Sequence, residues 1–295
     1  PQEALKREPP MYRTCLCFGV ILLASSLLAQ DAPPDESHEI VLVEETGGEW
    51  EQAEQPKVAE VVKSIVDRTN AFRKEQKRKP VAANVELTQA AQAFADYMAK
   101  TGRYGHTADG QTPAARAKAA GYDYCTVREN IAYAFRSKGF STEDLAERFF
   151  TGWKESPGHR RNMLARWVAD TGVAIAKSEE TDTYFAVQLF GRPESAAVAF
   201  EIANRSKVTV EYRVGDRDYS VSPRVIRTHK SCTPVTVEFL PLASQKEASH
   251  PPRPIKTVKA TGGERMTIEV AEGGYLVNVE DAPETSDAPQ PNAGR

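Results

Sequence analysis

The chain has 295 residues, of which 40% are hydrophobic and 27% charged. That is ordinary globular composition rather than that of a disordered or membrane-embedded chain, and the length suits two folded units with terminal extensions. The formal net charge of −3 gives no ground for nucleic acid or an anionic membrane as partner, and the densest basic cluster, Lys74 to Lys79, reads as a solvated helix end.

The N-terminus carries the first signal. Met11-Tyr12-Arg13 precedes an apolar run from Cys15 to Ala29, followed by a polar, Pro-rich stretch. A short basic lead, an apolar core below ~20 residues and small residues at its end read as a secretory signal peptide cleaved near Ala29. An uncleaved anchor is the alternative. Cys15 and Cys17 stand before the apolar run, where a lipidated cysteine does not belong. Residues 1–10 precede that methionine and carry no fold reasoning. The chain is thus expected to be secreted, periplasmic or held in the cell envelope, with no integral span once residues 1–29 are removed.

Residues 30–56 hold nine Asp and Glu, no Lys or Arg, and few large apolar residues. Such a segment cannot bury enough surface to offset its ordering entropy, so it reads as an acidic linker. Order begins near Val58. Val58, Val61, Val62, Ile65, Val66, Thr69 and Phe72 fall on one helical stripe, and Pro80 closes it. Leu87, Ala91, Phe94, Ala95 and Met98 define a second helix that Gly102 stops. Thr112-Pro113 starts an Ala-rich third helix ending at Gly121. A fourth starts at Ser141 or Thr142 and turns Leu145, Phe149 and Trp153 inward. Ser156-Pro157 repeats the cap-then-proline start for a short helix reaching Leu164. Thr171–Ala176 and Tyr184–Phe190 then read as strands.

After Pro193 the pattern changes to short β-branched or aromatic runs separated by turns: 200–202, 208–214, 219–221, 235–239, 266–270 and 275–279. They read as a small all-β sandwich with a long loop over 241–254. The expected division is therefore a leader at 1–29, a linker at 30–56, a helix-rich domain at 57–193, a β-rich accessory domain at 194–281 and a disordered tail at 282–295. Beyond the leader only Cys125 and Cys232 remain. Falling in different expected domains, they read equally as a disulfide or as two separate thiols.

Six motifs in the helix-rich part occur in a linked order. They are Asn70-Ala-Phe-Arg73; Leu87-x3-Ala91-x3-Ala95-x2-Met98 running to Gly105-His106; "TADGQTPAARAKAAGY" over 107–122; Arg128-Glu129-Asn130-Ile131; Gly152-Trp153 with Ser156-Pro157-Gly158-His159-Arg160-x-Asn162-Met163-Leu164; and the closing pair 171–174 and 184–191. Together they resemble the CAP (SCP-like) superfamily of cysteine-rich secretory, antigen-five and pathogenesis-related proteins, in its bacterial form, over about 135 residues. The resemblance implies an α+β fold: an α-β-α sandwich of CAP type, here followed by the small all-β module. It also implies a surface cleft lined by His and Glu, which in many animal members holds a divalent metal on two His and two Glu.

Carried onto this chain, the cleft residues would be His106, Glu129, Asn130, His159 and Gln188. Each has a plainer reading. His106 follows Gly105 on a loop, where a backbone carbonyl can satisfy it, although imidazole there also suits a metal. Glu129 opens an apolar stretch and needs a partner. His159 sits in the first turn of a helix, which favours a neutral ring. The tetrad is incomplete, since Ser156 stands at the second glutamate's place and residues 184–187 supply no second histidine. A zinc site is left with His106, His159 and Glu129, fewer than a closed zinc site wants.

No Gly-x-Ser-x-Gly elbow, His-Glu-x-x-His or phosphate-binding loop is present. The sequence favours an extracytoplasmic binding module, taking a lipid, glycan or peptide ligand or an envelope protein, with no cofactor required. Two other readings stand: a metal-assisted hydrolase of peptide or cell-wall bonds with Glu129 as base, and an adhesion protein with a vestigial cleft.

Overall fold

The computed structural model describes residues 55–242 and 253–281. The expected leader, most of the acidic linker and the tail lie outside them.

Helix α1 (Val58–Glu75) buries Val61, Ile65, Thr69 and Phe72, the expected stripe. Helix α2 (Val85–Thr101) is capped by Asn84, whose side-chain oxygen accepts from Leu87 N at 2.8 Å, and ends at Gly102 in the left-handed region. Thr112 and Pro113 start α3 (Pro113–Ala119) as their types predict. Ser141 caps α4 (Thr142–Glu155), and α5 (Pro157–Met163) follows after Ser156.

These helices cover a four-stranded sheet ordered β1-β3-β4-β2, formed by β1 (Ala82–Ala83), β2 (Tyr124–Ala134), β3 (Asp170–Lys177) and β4 (Tyr184–Pro193). Strand β1 runs parallel to β3; the other pairs are antiparallel. Central β4 is buried at every position from Tyr184 to Gly191, because helices lie on both faces. One face packs Phe190 and Ala186 with Val61, Ile65, Phe149 and Trp153; the other packs Val187 and Leu189 with Leu87, Phe94 and Met98. Strand β3 passes so close to the start of α2 that a Cβ at Gly172 would overlap the backbone of Leu87 and Thr88. Strand β2 forms one edge and the short β1 the other.

After a short turn of 3-10 helix (Glu194–Ala196) the chain forms two further four-stranded sheets. One is ordered β10-β9-β6-β7, from β6 (Val210–Val214), β7 (Arg217–Val221), β9 (Val235–Phe239) and β10 (Lys256–Ala260). The other is ordered β12-β11-β5-β8, from β5 (Val198–Asn204), β8 (Ile226–Ser231), β11 (Arg265–Ala271) and β12 (Gly274–Glu280). They share a core of Phe200, Ile202, Tyr212, Val237, Phe239, Met266 and Ile268. The α+β class and the added β sandwich are as the sequence reads.

Two expectations need correction. β2 is a strand of 11 residues, unread as such because Arg128-Glu129-Asn130 interrupts its apolar pattern. β8 and β10 were also missed: both are largely exposed edge strands, so their sequences lack the alternation of a half-buried strand. Cys125 and Cys232, whose pairing the sequence left open, are bonded, joining β2 to the turn between β8 and β9. Among the described residues no helix is long and apolar enough to cross a membrane.

Candidate functional site

The site is built around edge strand β2, which pairs only with β4 and so presents one row of backbone groups outward. The Ile131 carbonyl on that row accepts from Tyr104 Oη at 3.1 Å and from Trp153 Nε1 at 3.2 Å. One donor comes from the loop after α2, the other from α4. A cleft of about 300 Å³ opens here, with Tyr104, Tyr133, Glu147, Arg148, Trp153 and His159 among its lining. The rings of Tyr104 and Tyr133 meet edge to face, centroids 4.9 Å apart. Asp144 and Glu147, also on the cleft wall, pair with Arg136 and Arg68.

Successive residues of a strand point to opposite faces, and that alternation decides where the expected site residues go. Glu129 turns toward α3. Its Oε1 lies 2.8 Å from His106 Nδ1, and its Oε2 accepts from Arg116 Nη2 at 2.7 Å. Arg116 is itself buried. It donates to Asp109 Oδ1 (2.8 Å), the Gln111 carbonyl (2.9 Å) and the His106 carbonyl (2.9 Å), and its guanidinium lies 3.5 Å from the Phe94 ring centroid. The result is a buried carboxylate with both oxygens engaged, fastened to the loop that carries His106.

Asn130, the next residue, turns to the opposite face. Its side chain donates to the His159 carbonyl at 3.3 Å and accepts from Asn162 Nδ2 at 3.0 Å, while Asn162 also donates to the Glu129 carbonyl. Asn130 therefore holds α5 against β2. Gln188 is opposite Asn130 in the β2–β4 register and is fully buried, donating to Thr69 Oγ1 of α1 at 3.2 Å. Ser156 takes the helix-start position expected of it, but through its carbonyl, which accepts from Arg160 N; its side chain makes no cap bond.

The five expected residues thus separate. His106 joins Glu129 on one face of β2. Asn130, Gln188 and the backbone of His159 meet on the other, and His159 also lines the cleft. Sequence reasoning missed Arg116, Asn162, Tyr104 and Trp153. Arg116 was concealed in an Ala-rich helix, where a lone arginine reads as solvated.

The metal set does not fit this arrangement. Among the described residues no three or more His, Cys, Asp or Glu side chains gather as a metal site. An ion at His106 and Glu129 would have to displace Arg116, whose charge already neutralises the carboxylate, and His159 is not brought to it. Cys125 is engaged in its disulfide with Cys232.

The cysteine-rich secretory protein (CAP) family matches residues 66–190. The uncharacterised protein YkwD of Bacillus subtilis is 32% identical over 117 residues, 39% of this chain and 42% of that one. The chain therefore spans less than half the length of this curated relative. Among solved structures, an outer surface protein of Borrelia burgdorferi is 19% identical, covering 48% of this chain and 98% of its own, with a TM-score of 0.42. An extracellular protein of Bacillus anthracis containing an SCP domain is 21% identical, covering 46% of this chain and 41% of its own, with a TM-score of 0.39.

Proposed function

From the premise that this chain carries a CAP domain of bacterial type over residues 66–190, we propose that it acts outside the cytoplasm as a binding module, with its ligand in the cleft beside β2. Export rests on the leader-like residues 1–29, and the acidic segment 30–56 would space the folded part from whatever precedes it. The single observation that carries the binding reading is the prior commitment of three carboxylates, Glu129, Asp144 and Glu147. Glu129 is closed off by Arg116 and His106, and Asp144 and Glu147 of the cleft wall are ion-paired. Beside them the cleft is lined by aromatic surface from Tyr104 and Tyr133 and by the side chains of Arg148, Glu155 and His159. Flat rings beside a few polar groups suit a glycan or lipid-like ligand.

The test is retention. The chain from Gln30 onward is incubated with solubilised envelope glycans and lipids, washed, and its bound molecules identified by mass spectrometry. A retained species lost in Tyr104→Ala and His159→Ala supports the cleft. Turnover of a peptide or cell-wall substrate that disappears in Glu129→Gln would overturn the binding reading in favour of hydrolysis.

A further inference from the structure

The formal charge of −3 is an average over parts of opposite sign. Residues 30–56 carry nine acidic residues, whereas residues 57–193 carry 22 Lys and Arg against 16 Asp and Glu. The excess is not evenly spread. Arg73, buried in α1, donates to the carbonyls of Lys79, Met163 and Ala165, which draws the turn after α1 against the segment that follows α5. Burial, and after it the charge of neighbouring Arg78, lowers the Arg73 pKa from its ordinary value.

Two cationic stretches, 77–79 and 160–166, thereby become neighbours. At their junction stands Trp167, 38% exposed, with the guanidinium of Arg166 5.5 Å and that of Arg192 5.9 Å from its ring. Arg192 also donates to the Trp167 carbonyl. None of Arg78, Lys79, Arg161, Arg166 and Arg192 forms an ion pair with a described carboxylate. Lys63, Lys118 and Lys177, in other parts of the same half, all do.

We propose that this face, formed by the 77–80 turn, the 161–167 segment and Arg192, docks on the headgroup layer of an anionic phospholipid membrane. An exposed indole set among arginines and lysines is the composition of a membrane interface, where the ring sits at headgroup depth and the cations meet phosphate. The surface joins the 77–80 turn, the end of α5 with the segment after it, and the end of β4. One exposed aromatic supplies little insertion, so attraction is chiefly electrostatic and reversible by salt. This inference is independent of the cleft.

Sedimentation with vesicles tests it, using the chain from Gln30 onward, which keeps every described element. Binding is expected to equimolar phosphatidylglycerol and phosphatidylcholine, absent from pure phosphatidylcholine, and lost in about 0.5 M NaCl. The triple variant Lys79→Glu/Arg161→Glu/Arg166→Glu should bind at least about tenfold more weakly. The equal charge change Lys100→Glu/Arg103→Glu/Lys230→Glu, at exposed sites elsewhere, should stay within about twofold. Trp167→Ser should abolish the blue shift of tryptophan emission on binding, and it serves as the readout if the triple variant does not fold. Tyr104→Ala should bind vesicles normally, which separates failure here from failure of the cleft. The proposal is overturned if the parent chain ignores the anionic vesicles or the control triple loses as much affinity. Release by millimolar glycerol phosphate would also overturn it, assigning the surface to a soluble phosphate.

Discussion

The buried polar side chains of the helical half and those of the β sandwich have different ranges. In the helical half they reach across the chain: Glu129 to Arg116 and His106, Asn130 to Asn162, Gln188 to Thr69, Arg73 to Met163. In the sandwich they mostly act within a turn. Glu264 accepts from the backbone of Thr261 and Gly262, and Asn204 from Ser206 two residues on. Burying a polar group costs free energy unless it is bonded, and each side chain just named has such a partner. Local bonds fix turns, whereas long-range ones fix the relative positions of helices around β2. A long-range polar network therefore marks where geometry matters, and here it surrounds the cleft.

Breaking the long-range network should give the largest effect. Glu129→Ala leaves the buried Arg116 facing an empty site, with an expected loss of about 3–5 kcal/mol in urea unfolding. Pairing it with Arg116→Met should recover part of that loss, because the uncompensated charge goes too. A loss below about 1 kcal/mol for Glu129→Ala would place the network on a par with an exposed pair and erase the contrast drawn above.

A local turn should matter less. Glu264→Ala should cost about 1–2 kcal/mol. Burial raises the Glu264 pKa, but the bonds from Thr261 and Gly262 outweigh it and hold the carboxyl below its ordinary 4.5. Its contribution is thus complete above that value and fades as pH falls through the depressed folded value. Acid unfolding followed at pH 3 to 6 should lose this component in Glu264→Gln. An unchanged slope would deny the carboxylate its role.

His229 supplies the smallest and sharpest test. Its Nε2 lies 2.8 Å from Tyr212 Oη, its ring stacks on Phe200, and Tyr219 meets it edge-on. Burial, then the charge of Arg227, lowers its pKa from 6.5. Because the unfolded chain takes up the proton first, stability is full above pH 6.5 and falls as the pH drops toward the folded value. Thermal melts between pH 8 and 5.5 should show a decline that flattens in His229→Phe. A decline that persists unaltered would assign the pH response to other groups.

Much of the helical half could be read from the sequence because its signals are local. Cap-then-proline starts at Thr112 and Ser156, the stop at Gly102 and the stripe from Val61 to Phe72 all act over a few residues. The site was read only in part. Strand alternation sends neighbouring Glu129 and Asn130 to opposite faces, so residues close in sequence serve different partners. Arg116 gave no signal because its partners lie in the 106–111 loop and on β2. The basic face escaped for a related reason. Lys74 to Lys79 is visible as a run, but its neighbours at 161–167 come from 82 or more residues away, and the net charge hides the sum.

The Cys125–Cys232 bond has a mechanical consequence. Tension applied through the two ends of the described chain would travel from β2 across the sulfur bridge into β9. The 107 residues of separation between the two cysteines would bear none of it. That shielded length contains α4, α5, β3 and β4, hence one wall of the cleft and the sheet beneath it. Fully extended it would amount to about 360 Å of chain, which could not be drawn out until the bridge was reduced. A protein held at an envelope and pulled from its far end would extend by its outer segments while keeping that wall intact.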